Sequence, residues 1–168
     1  MAKRRASRSV TKKKTGPVEV FVSYSHVNSA WFKRLDPVLK FTRPAKIAHV
    51  WHDQKLKAGE RWDDEIRDAL ERMDVFVCLV SYEFLASDYI MDVELKRALA
   101  RARKREVEIV AIVLYDSDLK KECPRLSKFQ LPLKGGCWRD YEKDGGYYQD
   151  AHKPIREAIR RARENGSP

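Results

Sequence analysis

The sequence predicts an α/β protein: a flavodoxin-like, five-stranded parallel sheet in the order 2-1-3-4-5, with helices on both faces. Strand-like and helix-like segments alternate along the chain, which is the pattern of a parallel sheet built by crossover helices. Two of the strand-like runs, VFVCLV at 75–80 and VEIVAIVLY at 107–115, are apolar almost without interruption, as strands covered on both faces should be. At 168 residues the chain is long enough for one domain with a sizeable core.

The elements follow in order. Val18–Ser23 (VEVFVS) is the first strand, bounded by Gly16 and Pro17. Asn28 or Ser29 can cap a helix running to about Phe41. Trp31, Leu35, Val38 and Leu39 fall on one face of it, and Pro37 is expected to kink or shorten it. Ala48–Trp51 is a short second strand, and His52–Arg61 is a polar loop containing Gly59. Trp62 opens the second helix. Asp63, Asp64 and Glu65 fill its first turn, where the helix dipole favours carboxylates, and Ile66, Ala69, Leu70 and Met73 form its buried stripe. Val75–Val80 is the third strand, and a short loop leads to a helix from about Asp88 to Lys104. Val107–Tyr115 is the fourth strand. Asp116–Lys134 has no clear period, and Gly135–Arg139 is expected to hold a short fifth strand. A final helix covers about Tyr148–Glu164, with Ile155, Ala158, Ile159 and Ala162 on one side.

The formal net charge of +10 is concentrated at one end. Residues 1–17 carry Lys3, Arg4, Arg5, Arg8, Lys12, Lys13 and Lys14 and no acidic group, leaving 28 basic against 25 acidic residues in the rest. With almost no apolar content, 1–17 reads as a disordered basic tail ahead of a domain at 18–168. Such a tail can meet nucleic acid or a membrane surface. Because the folded part shows no matching excess, a solubilising leader is the preferred reading and neither contact is expected. No apolar run reaches the length of a membrane helix, and nothing resembles a secretory leader. Cys78, Cys123 and Cys137 suggest neither a disulfide framework nor a metal site, so the chain reads as cytoplasmic.

Several chemistries are excluded. The turn after the first strand, SYSHVNSAW, holds no G-x-G-x-x-G, and no Walker A sequence exists. A phospho-acceptor receiver would need acidic residues where Ser23, Ser25 and Ser81 stand. His49 and His52 lack a third ligand, so no metal is expected. Asp116 and Asp118 suit a surface turn. Glu94 is different in its location. It lies just inside a helix that follows a buried strand, at the sheet edge where open α/β proteins bind ligands. The same position also suits an ordinary solvated charge near a helix N-terminus.

Three blocks are jointly specific: VFVSYSH at 20–26, VWHDQKLKAGERWDDEIRDAL at 50–70 and DVFVCLVSYEFLASDYIMDVELKRAL at 74–99. Together they resemble the Toll/interleukin-1 receptor (TIR) domain in its bacterial form, over about Val18 to Ala162. The first block matches the family's first box. The second matches its second strand and BB loop, and the third its catalytic-helix region.

The resemblance implies an enzyme that cleaves the nicotinamide–ribose bond of NAD+, giving ADP-ribose or a cyclic ADP-ribose signal in antiphage defence or signalling. NAD+ would be substrate, with no separate cofactor. It assigns the catalytic carboxylate to Glu94. Trp62 would stack on the pyridinium, with Tyr24 as a further wall. Ser25, Asp53 and Ser87 could bond ribose or phosphate, and Lys55, Lys57, Arg61 or Arg97 the pyrophosphate. Active relatives carry an aromatic four residues before the glutamate. Here that place holds Ile90, and Tyr89 is five before, about 140° away on a regular helix. The resemblance further implies self-association or pairing with other TIR domains, and a separate sensor or effector protein. Trp138 is either a core residue or one that closes a neighbour's pocket. The alternative function is a non-catalytic scaffold assembling through the BB loop.

Overall fold

The computed structural model describes residues 16–42, 47–52, 62–131, 133, 136–141 and 147–165. Within them, β1 (Val18–Tyr24), β2 (Ile47–His52), β3 (Val75–Val80) and β4 (Glu108–Val113) form one sheet in the order β2-β1-β3-β4, all pairs parallel. This is the expected order as far as β4. The helices are α1 (Ser29–Thr42), α2 (Trp62–Arg72), a one-turn α3 (Tyr82–Leu85), α4 (Lys96–Arg103), the short α5 (Leu119–Glu122) and α6 (Pro124–Ser127), and α7 (Tyr147–Glu164). None among the described residues is long and apolar enough to cross a membrane.

The period-2 alternation of the strands explains how the two faces are filled. Val18, Val20, Val22 and Tyr24 of β1 point into one cluster with α1 and α7, through Leu35, Leu39, Ile155 and Ile159. Phe21 points the other way, with Phe76, Cys78 and Val80 of β3, onto Ile66 and Leu70 of α2 and Leu95 and Leu99 beside and within α4. All six residues of β3 are buried, which is why its sequence shows no polar alternation. The three cysteines are free and buried.

Three expectations need correction. Pro37 neither stops nor shortens α1, which continues to Thr42. Pro37 and Lys33, whose carbonyl loses its usual partner, both lie on the exposed side, where water can take that hydrogen bond. The residues after Ser81 form α3 rather than a plain loop; the Ser81 side chain caps it by accepting from the Phe84 amide at 3.0 Å.

The fifth strand does not lie at 135–139. Gly136 turns the chain at φ 91°, and Trp138–Tyr141 is a 3-10 helix. Trp138 is drawn into the core, 2% exposed, with its ring 5.3 Å from that of Trp31. The place beside β4 is taken by an earlier segment instead. The Ala111 amide donates to Phe129 O at 2.9 Å, and the Leu131 amide to Ala111 O at 2.7 Å. That pairing is a single parallel bridge, Ala111 to Gln130. The Leu133 amide, the next donor in that register, turns back to Leu131 O at 2.8 Å, so the pairing goes no further.

Candidate active site

The strand order reverses direction at β1. The chain leaves β1 for β2 on one side and returns to β3 on the other, which marks the carboxyl edge between β1 and β3 as the position of the ligand crevice in such folds. Buried polar groups gather here. Asn28, Ser23, Ser81 and Glu94 are the buried polar or charged residues among those described, and all four stand at or beside this edge.

Glu94 is 3% exposed, a carboxylate inside the fold. The helix carrying it is not α-helical there. Residues Ile90–Leu95 form a π-helical turn, which continues into α4. Single π-turns are rare and amount to one extra residue accommodated within an α-helix. The apolar residues record that extra residue. Ile90 and Leu95, both buried, are five apart, whereas Leu95, Ala98, Leu99 and the partly buried Ala102 follow at ordinary helical spacing. The Ser87 hydroxyl accepts from the Ile90 amide at 3.3 Å, and Met91 donates to the Ser87 carbonyl at 2.9 Å, fixing the entry to the turn.

The Ser23 hydroxyl of β1 donates to Glu94 Oε2. Ser23 is 1% exposed and directly follows the apolar run Val20, Phe21 and Val22, facing the same side as Phe21. Its register partner on β3 is Cys78. Burial, with lesser contributions from Cys123 and Glu94, pushes the Cys78 thiol far above its ordinary range, so it stays protonated; its Sγ donates to Val110 O at 3.7 Å. A buried carboxylate costs several kcal/mol unless hydrogen-bonded. The strand serine supplies part of that compensation.

A second polar knot ties the two loops together. Ser81 Oγ donates to Asn28 Oδ1 at 2.7 Å, bridging the end of β3 to the 3-10 turn His26–Asn28 that follows β1. The Asn28 amide donates to Ser25 O at 2.8 Å. Glu83 joins this knot. Its carboxyl is held below the usual carboxylate range first by its own backbone amide, then by Ser81, with a smaller contribution from Asn28. Val27 and Tyr82, each next in sequence to a member of the knot, are large apolar residues left 71% and 58% exposed.

The sequence-derived candidates therefore fall into groups. Glu94, Ser25, Ser87 and Tyr89 all lie around the crevice. Ser25 and Ser87 are half-buried, and Tyr89 packs partly against the apolar cluster under the π-turn. The extra residue of that turn bears on the spacing of Tyr89. With i to i+5 bonding, positions five apart take the relation that four apart have in an α-helix. Tyr24 ends β1 but turns into the core on the α1 side, 2% exposed and stacked on Phe32 at 5.1 Å. Arg97 is engaged by Glu71. Trp62 opens α2, with its side chain outside the described residues, as are Asp53, Lys55, Lys57, Gly59, Arg61 and the tail at 1–15. Sequence reasoning passed over Ser23, Asn28 and Glu83. The signal for Ser23 was a small hydroxyl residue directly after the apolar run Val20, Phe21 and Val22.

A cavity of about 480 Å³ opens at the opposite, amino-terminal edge, between Arg72, Arg101, Arg105 and the Glu19–Asp74 pair. Its carboxylates are engaged: Asp74 accepts from the Glu19 amide, Glu106 pairs with Arg101, and Glu108 pairs with Arg161. The carboxyl edge, with its buried carboxylate, is the better site.

A doubly wound α/β domain with one buried glutamate at its switch point is a class shared by many ligand-binding proteins. The particular family follows from comparison: the TIR domain family model matches residues 20–162, and the chain belongs to that family. It is 34% identical over 99 residues to "Uncharacterized protein y4lF" of Sinorhizobium fredii (strain NBRC 101917 / NGR234). That match covers 59% of this chain and 31% of that protein, so the chain matches under a third of that relative's length. Among solved structures it is similar to the TIR domains of the activated Roq1 resistosome, which directly recognises the pathogen effector XopQ. The match has 21% identity and a TM-score of 0.48, covering 89% of this chain and 85% of that one.

Proposed function

We propose that the protein cleaves NAD+ at the bond between nicotinamide and ribose, as a nucleosidase or an ADP-ribosyl cyclase. The observation that carries this reading is the buried Glu94 carboxylate, held by a β1 hydroxyl within a π-turn at the switch-point crevice. Nicotinamide leaves as a neutral molecule from a cationic pyridinium, so the reaction needs no strong general acid. It needs charge stabilisation for an oxocarbenium-like transition state and a fixed ribose. One carboxylate of fixed orientation in a water-poor site supplies both. It accepts hydrogen bonds from the ribose hydroxyls and faces the developing positive charge.

Trp62 opens α2 directly after the 53–61 segment and is assigned the stacking contact to the pyridinium. Ser25, Asp53 and Ser87 are assigned to ribose or phosphate oxygens, and Tyr89 to the ribose beside Glu94. The C1′ cation is then captured by water, giving ADP-ribose, or by an atom of the same nucleotide, giving a cyclic product. Self-association, or pairing with another TIR domain, is the proposed route to the active state, in answer to a separate sensor.

Purified protein, free and in a crowded, assembly-promoting buffer, should release nicotinamide from NAD+. Glu94→Gln should lower the rate by at least about 10²-fold while the protein remains folded. Undiminished turnover in folded Glu94→Gln would remove Glu94 from the chemistry. Absence of NAD+ loss in both states, with assembly intact, would favour the scaffold.

A further inference from the structure

We propose that Ser23 is a positioning residue for Glu94, and that β1 thereby sets the orientation of the carboxylate on which the proposed NAD+ reaction rests. Three observations converge. Ser23 donates to Glu94 Oε2 across 71 positions of sequence, from the central strand to the π-turn. It is 1% exposed, so its hydroxyl has no ordinary solvation to fall back on. Its register partner Cys78 is a protonated thiol directed at Val110 O, so the neighbouring strand places a neutral group beside the pair rather than a competing charge.

The π-turn makes such a tether useful. A turn with one extra residue is less regular than the helix it interrupts, and its side chains are not fixed by the helix ladder alone. A strand is the stiffest element available, and β1 is bonded on both sides, to β2 and β3. Hydrogen-bonding the carboxylate to β1 transfers the sheet's rigidity to the functional oxygen atoms. It is the kind of supporting contact that holds a reacting group in its productive geometry.

The test compares wild type with Ser23→Ala, Ser23→Cys and Glu94→Gln in the full chain. Ser23→Cys keeps size and a weak donor, and covers the case in which Ser23→Ala fails to fold. Turnover of NAD+ should fall about ten- to hundredfold in Ser23→Ala, the range of one charge-assisted hydrogen bond. Ser23→Cys should lie between it and wild type. KM should stay within about threefold, because the loss belongs to the transition state.

A second readout needs no activity. The infrared carboxylate band of Glu94, isolated by subtracting the spectrum of Glu94→Gln, should shift in Ser23→Ala and by less in Ser23→Cys. An unshifted band, or wild-type kcat in folded Ser23→Ala, overturns the proposal. If wild type consumes no NAD+ while the band still shifts, the NAD+ reading fails and the tether between Ser23 and Glu94 stands.

Discussion

At the scale of single residues, the site rests on a buried charge. Glu94 was placed correctly at the carboxyl edge by its position after β3, because a strand's direction fixes where the following helix begins. Its burial was not legible, since a carboxylate near the start of a helix reads the same in sequence whether it faces water or protein. Inside the fold it meets the Ser23 hydroxyl, and that contact crosses 71 positions. Trp138 shows the opposite case. Its sequence allowed a core role or an intermolecular one, and the packing against Trp31, with the Trp31 indole donating to Tyr115 Oη at 3.0 Å, puts it in the core. Trp138→Ala should therefore destabilise the domain by about 3–5 kcal/mol, read by denaturant titration. A loss below about 1 kcal/mol would contradict that packing.

At the scale of elements, the π-turn explains a spacing that the sequence left anomalous. Tyr89 and Glu94 are five apart, as are Ile90 and Leu95, and both irregularities have one cause. The pair Ile90 and Leu95 was the available signal, since an amphipathic helix repeats at three or four. Deleting Asp92, which is exposed, should convert the turn to plain α-helix. The melting temperature should hold or rise and NAD+ turnover should survive, because Tyr89 and the glutamate, then four apart on a plain helix, keep their relation. Collapse of turnover in the folded deletion variant would mean that this relation is not what the turn preserves.

The knot at α3 gives a pH-dependent prediction. Glu83 has a lowered folded-state pKa, so its contribution is present above the unfolded value of about 4.5 and is lost as pH falls through the folded value. The melting difference between wild type and Glu83→Gln should accordingly be present at neutral pH and vanish as pH falls through the folded value. A difference that grows with acid would invert the assignment. α3 itself was missed because one turn is too short to show a period, although Ser81 was a legible cap.

At the scale of the whole molecule, alternating elements and apolar strands identified the sheet and its order, because burial on both faces leaves a plain compositional trace. The fifth position was not legible. A single bridge at Ala111 imposes no run of strand residues, and Gly135–Arg139 looked more strand-like than the segment that pairs. The charge map makes a separate prediction, since most of the net charge lies in 1–17. A chain lacking residues 1–15 should keep wild-type NAD+ turnover. Any salt-sensitive binding to nucleic acid should disappear with the deletion, as measured by fluorescence anisotropy across a salt series. Binding that survives would place the cationic surface on the domain.

Arg101 has a mechanical consequence. Its guanidinium holds Leu70 O at 2.7 Å and Met73 O at 2.9 Å, closing the end of α2, while Arg97 on the preceding turn grips Glu71. Two helices so riveted at one end behave as a single lever. α2 starts at Trp62 and α4 starts from the turn that bears Glu94, so the free ends of that lever are the two walls of the crevice.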